Sequence, residues 1–173
     1  MSTRGLIGYR TTKRRDNTNN VFGIYNHESS EFIYKGLDVL EIYCDYSKKD
    51  FIDMFKSKTW DNSVDAHVND TLSIFSLKKE KFKNYSSFLL KGVFCEYAYI
   101  YNLQTDELEV YETIKNKLYF KNQYKYESNY YLNLAFIVNR ENVHFILNLF
   151  YHSLILGDDA LIRMYMRDLK NKK

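Results

Sequence analysis

Two runs of β-forming residues in the middle of the chain constrain its fold more than any other feature. Residues 93–101 and 108–111 are rich in aromatic and aliphatic side chains, and the polar segment 102–107 separates them. Such runs on either side of a loop predict an antiparallel hairpin. Glu96 alternates onto a face that is otherwise apolar, where a buried carboxylate would need a partner. We therefore expect Glu96 to be exposed to solvent.

A second hairpin is predicted at the start of the chain. Residues 6–9 and 21–25 are short apolar runs, and the polar, basic segment 13–20 between them is typical of a solvated turn. Pairing of the two runs would bring the Ser/Thr/Arg start of the chain beside His27 and Glu28. This end of the hairpin is the only polar constellation whose shape the sequence predicts.

The segment after the first hairpin predicts helices. Apolar residues recur at helical spacing in residues 37–46, with acidic residues on the other side. Residues 50–56 predict a second, short helix for which Ser47 is the candidate cap. The charged residues 78–81 are interpreted as a solvated charge run.

The last third of the chain predicts a strand followed by two helices. The apolar residues 131–138 are typical of an inner strand. Asn139 is placed to cap the helix that follows, and Gly157 is placed to end it. Asp158 or Asp159 then starts another helix.

Together these elements predict a single α+β domain that covers residues 1–173, with a mostly antiparallel sheet and a helical C-terminal part. The sheet consists of the two hairpins and the 131–138 strand. The helices at 37–46 and 140–170 cover one side of it. With 173 residues and a mass of 20.8 kDa, the chain is long enough to bury a core without a metal or a disulfide.

The aromatic content is unusual. The chain has 17 Tyr and 12 Phe residues, one Trp and no Pro. Coding bias from an AT-rich genome explains this composition. The alternative is a tyrosine-rich interaction surface, because Tyr joins an apolar ring to a polar tip. The formal net charge of +3 is well short of the basic surface that dedicated nucleic-acid-binding proteins carry.

The sequence indicates no cofactor, metal or membrane. Cys44 and Cys95 lack metal-binding spacing, so both are expected to be buried free thiols in a reducing compartment. His144 and His152 are too far apart on one helix to share a metal. There is no run of about 18 apolar residues and no signal-peptide core, so we expect a cytoplasmic protein.

The start of the chain offers one catalytic hypothesis. The usual phosphate-binding, zinc-protease and serine-hydrolase motifs do not occur in the sequence. Removal of Met1 would expose the amine of Ser2, and N-terminal-nucleophile hydrolases use such an amine as the base for a hydroxyl. In an amidohydrolase of this type, the nucleophile would be Ser2 or Thr3, and Arg4, His27 and Glu28 would surround it.

A structural role is the alternative for the same end of the hairpin. Arg4, Tyr25 and His27 would then form a buried polar network that holds the first two strands in register.

An aromatic and basic segment at residues 119–131 suggests a further alternative, which is binding of single-stranded RNA. Bases would stack on the aromatic rings, and lysines would hold the phosphates. The same residues would suit a protein or nucleoprotein partner. The candidate residues are Lys121, Tyr124, Lys125 and Tyr126, together with Lys13, Arg14 and Arg15 in the first turn.

Short motifs at both hairpins resemble those of a known group of proteins. The chain starts Met-Ser-Thr-Arg and returns after the first hairpin with Ile24-Tyr25-Asn26-His27. Residues 96–99, Glu-Tyr-Ala-Tyr, lead into the run at 108–111. These motifs resemble a family of small uncharacterised proteins of bacteriophages and other mobile elements, which begin Met-Ser-Thr-Arg and return with Tyr, Asn or Cys, and His. The sequence departs from that family at Glu28 and Ser29, where the family has Trp and Asp.

The resemblance implies a phage-borne accessory gene. Small accessory phage proteins often inhibit host immunity, and anti-CRISPR proteins do so by binding a large nucleoprotein. The leading hypothesis is therefore a non-enzymatic phage protein in the host cytoplasm that binds and inhibits a host defence complex such as a CRISPR effector. The amidohydrolase and the RNA-binding module are the two alternatives.

Overall fold

The computed structural model describes residues 3–10, 21–26, 29–57, 79–82, 95–115 and 130–171. In these residues one β-sheet packs against helices, which confirms the predicted α+β fold with a helical C-terminal part. None of the described helices is both long and apolar enough to span a bilayer. The elements in chain order are β1 (Gly5–Arg10), β2 (Val21–Asn26), a π-helical turn (Phe32–Gly36), α1 (Leu37–Asp45), α2 (Lys48–Ser57), β3 (Lys79–Phe82), β4 (Tyr97–Asn102), β5 (Glu107–Lys115), β6 (Tyr130–Val138), α3 (Val143–Leu156) and α4 (Ala160–Asn171).

The sheet has six strands in the order β3-β2-β1-β4-β5-β6. β1 pairs with β2, and β4 pairs with β5, in antiparallel register, so both predicted hairpins are confirmed. The two hairpins lie side by side through β1 and β4, which are parallel. Glu96 is exposed in the bend that precedes β4, as predicted.

The two outer strands differ from what the sequence predicts. β6 is an outer strand of the described sheet, so the prediction of an inner strand at 131–138 is wrong. Its sequence is mostly apolar because Phe136 packs in the core on the helix side and Leu132 packs in a second cluster on the other side. Lys79–Phe82, which includes most of the predicted charge run, forms the other outer strand, β3, which pairs with β2. Lysines on an outer strand discourage pairing with other chains.

β4 is buried on both faces. Tyr99 and Tyr101 point toward the helices, whereas Ala98 and Ile100 belong to the cluster on the opposite face. The ring of Tyr101 packs edge to face on Phe51 of α2, with 4.8 Å between the centroids. Tyr99 and Tyr101 are therefore core residues, and Tyr97 is partly buried against the same core.

Polar caps set the ends of the helices largely as predicted. The N–H of Asp50 donates to Ser47 Oγ and the N–H of Ser47 donates to Asp50 Oδ2, both at 3.3 Å, which is a capping box for α2. The predicted cap at Asn139 is three residues too early: α3 has Asn142 at its N-cap, and Asn139 Oδ1 instead accepts the N–H of Asn142 at 3.0 Å in the preceding turn. α3 ends at Gly157, whose φ of 73° is left-handed. Asp158 Oδ1 accepts the N–H of Ala160 at 3.0 Å and so caps α4.

A buried ion pair fastens three strands on the face opposite the helices. Arg10 of β1 and Glu109 of β5 are each 1% exposed. Arg10 Nε donates to Glu109 Oε2 at 2.9 Å, and Arg10 Nη2 donates to Oε1 at 2.5 Å. The hydroxyl of Tyr111 donates to Oε2 at 2.6 Å, and the amide of Asn102 in β4 lies 3.4 Å from Oε1. The Arg10–Glu109 contact is bidentate, and Tyr111 and Asn102 supply further hydrogen-bond donors to the same carboxylate. A buried charge requires partners of this kind.

Candidate functional site

The predicted N-terminal site is only partly within the described residues. Thr3 is half-buried, and its Oγ1 accepts a hydrogen bond from the N–H of Ser30 at 3.1 Å. Arg4 is exposed, so the prediction that it joins a buried polar network is wrong. Its backbone carbonyl instead continues the strand pairing by accepting the N–H of Glu96 at 2.7 Å. Ser2, His27, Glu28 and the side chain of Tyr25 lie outside the described residues, so the amidohydrolase hypothesis stays a prediction.

The π-helical turn packs tightly against this end of the sheet. The hydroxyl of Tyr99 donates to the carbonyl of Ser30 at 2.8 Å. A Cβ on Gly36 would lie 2.6 Å from the Tyr99 oxygen, so only glycine fits there. Lys35 is 2% exposed, and its Nζ lies 3.2 Å from Asp38 Oδ2. Burial raises the pKa of Tyr99 well above its usual value, so the hydroxyl keeps its proton and stays a donor.

Arg163 of α4 is held at the same end by internal contacts. Its Nε donates to Asp159 at 2.8 Å, Nη1 contacts Glu112 of β5, and the guanidinium lies 5.2 Å from the centroid of the Phe32 ring. Burial would lower the pKa of Arg163, but the carboxylates of Glu112 and Asp159 outweigh burial and raise it. This arginine joins α4 to the sheet.

The residues predicted to bind a partner or RNA are not among the described residues. This holds for Lys13, Arg14 and Arg15 in the first turn and for Lys121, Tyr124, Lys125 and Tyr126 in the segment before β6. Their roles stay predictions.

A cysteine and a histidine meet across α1 and α3, although they are 100 residues apart in sequence. Cys44 Sγ lies 3.8 Å from His144 Nδ1. Cys44 is partly exposed, so the prediction that both thiols are buried is correct only for Cys95. Burial and the neighbouring Asp45 raise the pKa of the Cys44 thiol, which opposes formation of the nucleophilic thiolate. Among the described residues, no group of three or more His, Cys, Asp or Glu side chains could hold a metal ion.

At the opposite end of the sheet from Thr3, a different constellation surrounds the turn between β4 and β5. Asp106 in this turn has a φ of 56°. Its carboxylate accepts hydrogen bonds from the Tyr101 hydroxyl and from Arg140 Nε, the latter at 3.4 Å. Its backbone carbonyl accepts the hydroxyl of Tyr43 at 2.6 Å. The turn is thus fixed to α1 and to the loop after β6. We call Arg140, Tyr43, Tyr46, Tyr101 and Asp106 the Arg140 site.

Arg140 is positioned by contacts on every nitrogen of its guanidinium. Besides the Asp106 contact, Nη1 donates to the carbonyl of Tyr43 and Nη2 lies 3.4 Å from the carbonyl of Tyr46. The guanidinium also lies over the Tyr43 ring, 4.3 Å from its centroid. The side chain remains 39% exposed. Part of the guanidinium therefore stays at the surface while these contacts hold its plane in one orientation.

The electrostatics of the Arg140 site keep Tyr43, Asp106 and Arg140 each in one protonation state near neutral pH. Burial raises the pKa of Tyr43 to about 12, although Arg140 alone would lower it. Burial would raise the pKa of Asp106, but hydrogen bonds from Tyr101 and Arg140 outweigh it and lower that pKa. Burial would lower the pKa of Arg140, but Asp106 and Tyr101 raise it. The site therefore presents an ion pair of Arg140 and Asp106 in a fixed orientation.

Tyr46 is the exposed aromatic side chain within the Arg140 site, with 43% of its surface accessible. On α3, Tyr151 is 42% exposed, and its hydroxyl bonds to Glu41 of α1. Arg and Tyr are the residue types that most often dominate the energy of protein interfaces. An oriented arginine beside the exposed Tyr46 is therefore the kind of group that can anchor a protein partner.

No protein-family model, curated protein or solved structure matches this chain. The resemblance to phage and mobile-element proteins therefore stays a prediction from the sequence motifs.

Proposed function

We propose that this protein is non-enzymatic and phage-encoded, and that it binds and inhibits a host defence complex, with a CRISPR effector as the target class that the sequence resemblance implies. The observation that supports binding most strongly is the Arg140 site, in which the chain uses three backbone or carboxylate acceptors to orient one exposed guanidinium. Orienting the side chain beforehand reduces the entropy lost on association.

The chemistry of the Arg140 site favours binding over catalysis. Tyr43 and Tyr101 both have raised pKa values, so neither provides a base near neutral pH. Asp106 is engaged by Tyr101 and Arg140. The exposed chemical groups are thus a paired charged donor, Arg140, and charged acceptor, Asp106, which suit a polar surface on a partner.

Affinity purification from host lysate tests this function. Tagged protein is expressed in a host that carries an active CRISPR effector, and the bound proteins and RNA are identified by mass spectrometry and sequencing. We expect the effector to be recovered with the native chain. Arg140→Ala should reduce that recovery at least tenfold, because interface arginines of this kind contribute about 2 kcal/mol or more.

Arg167→Ala is the matched control, because Arg167 is an exposed arginine on α4 outside the Arg140 site. It should recover the effector as the native chain does. Thermal unfolding of both variants establishes that they are folded. Recovery of no defence component by the native chain would contradict the proposed function.

A further inference from the structure

A groove runs along the outer strand β6 on the side that faces α4. It has a volume of about 420 Å³. One side is formed by five consecutive strand residues, 133–137, and the other by Tyr165, Leu169 and Lys170 of α4. A strand of five residues spans about 17 Å. The groove therefore has the length of a short extended peptide.

The strand side of the groove has backbone groups that are held by side-chain amides. Asn142 Nδ2 donates to the carbonyl of Ile137 at 3.2 Å, and Asn133 Nδ2 donates to the carbonyl of Leu134 at 3.3 Å. Single side-chain amides of this kind satisfy the strand edge and oppose indiscriminate pairing. The backbone N–H groups of a peptide strand in register could replace these two side-chain amides as donors to the carbonyls of Leu134 and Ile137.

The helix side of the groove is apolar apart from Lys170. The Tyr165 ring packs on Phe136 of β6 at 6.0 Å and on Phe145 of α3 at 5.6 Å between centroids. Burial raises the pKa of Tyr165, so its hydroxyl stays protonated. Tyr165 and Leu169 are four residues apart and lie on the same face of α4. They form one apolar wall for alternate side chains of a strand.

The charge of the groove has one sign. Lys170 is the one charged residue among the described residues that line it, and it lies at the end of the wall formed by Tyr165 and Leu169. A carboxylate on the bound segment would complement this ammonium group. A cleft between an outer strand and a helix is also the arrangement by which several domains add a peptide as an extra strand.

We propose that this groove binds an extended peptide segment of a protein partner as a seventh strand on β6, and that the segment alternates apolar residues and carries an acidic residue next to Lys170. The inference rests on the proposed function, because it names the kind of segment through which the target would be held. It concerns a surface different from the Arg140 site.

The test begins with a displayed library of random eight-residue peptides selected on the full chain. We expect the selected peptides to alternate apolar positions and to contain Asp or Glu. Hydrogen exchange should then show slower exchange of the amides of residues 133–137 when a selected peptide is added. Lys170→Glu should weaken binding of these peptides at least fivefold, and Arg167→Glu, which makes the same charge change outside the groove, should leave it within twofold.

Three results would overturn this inference. The first is that these amides already exchange slowly in the free protein and do not respond to peptide, because the strand edge would then be covered. The second is that no peptide is selected or that the selected peptides protect another surface. The third is equal loss of affinity in both charge-reversal variants. If any of these occurs while the native chain still recovers a defence complex, the groove assignment fails and the proposed function stands.

Discussion

Tyr43 connects the hydrophobic core with the Arg140 site. Its ring packs on Tyr101 at 5.4 Å between centroids, and its hydroxyl donates to the carbonyl of Asp106. An unfolded tyrosine ionises near 10.0, whereas burial raises the pKa of Tyr43 in the folded chain to about 12. The folded state therefore holds this proton more tightly than the unfolded state does. The stability from Tyr43 is complete below pH 10 and is lost as pH rises through 12.

This pH dependence can be measured by urea unfolding between pH 9 and 12. We expect the free energy of unfolding of the native chain to fall across this range. Tyr43→Phe removes the ionisable hydroxyl, so the fall should be smaller in that variant. An unchanged pH dependence in Tyr43→Phe would show that Tyr43 is not one of the groups responsible.

Gly36 is a second single position with a defined consequence. An added Cβ would lie 2.6 Å from the oxygen and 3.0 Å from Cζ of Tyr99. Gly36→Ala should therefore destabilise the protein by about 1–3 kcal/mol, the usual cost of overpacking a core. The cost should shrink in a Tyr99→Phe background, because the nearest atom is then absent. Urea unfolding of the four proteins in this double-mutant cycle gives the coupling, and a cost that is equal in both backgrounds would contradict the assigned contact.

The pairing of strands β1, β4 and β5 depends on the Arg10–Glu109 ion pair. Glu109→Ala leaves a buried guanidinium without its carboxylate, so we expect a loss of about 3–5 kcal/mol in the free energy of unfolding. The double variant Arg10→Met, Glu109→Leu replaces both charges by apolar side chains and should lose less than Glu109→Ala alone. Chemical denaturation measures both values. A double variant that is less stable than the single variant would show that the charges stabilise the strands beyond satisfying each other.

The elements that the sequence predicts are those with local signals. Both hairpins, the capping box at Ser47 and the helix end at Gly157 follow from side chains within a few residues of one another. The parallel pairing of β1 with β4 has no local signal, because about 90 residues separate the strands. The outer position of β6 could not be predicted for a related reason. A mostly apolar sequence indicates that both faces of a strand are packed, but it does not indicate whether the strand pairs on one edge or on both.

The candidate site could be predicted only in its parts. Asn139 indicates the start of the last helical region, and the loop at 102–107 indicates a turn, but nothing in the sequence places Arg140 beside Asp106 or Tyr43. Arg140 is 34 residues from Asp106 and 97 residues from Tyr43 in sequence. The three residues come into contact only when β6 joins the sheet and α1 packs against it. Conversely, the sequence draws attention to Arg4 because it belongs to the polar Ser/Thr/Arg start of the chain, and the fold leaves that side chain exposed.

In the described part of the chain, apolar side chains are packed on both faces of the sheet. The Arg140 site lies at the end of the sheet where β4 turns into β5. The central proposal is that this site serves inhibition of a host defence system. It is tested most directly by the plating efficiency of a phage that the host's CRISPR system restricts. Expression of the native chain should raise plating at least tenfold, Arg167→Ala should do the same, and folded Arg140→Ala should leave restriction intact. No rise with the native chain, or an equal rise with Arg140→Ala, would contradict the account.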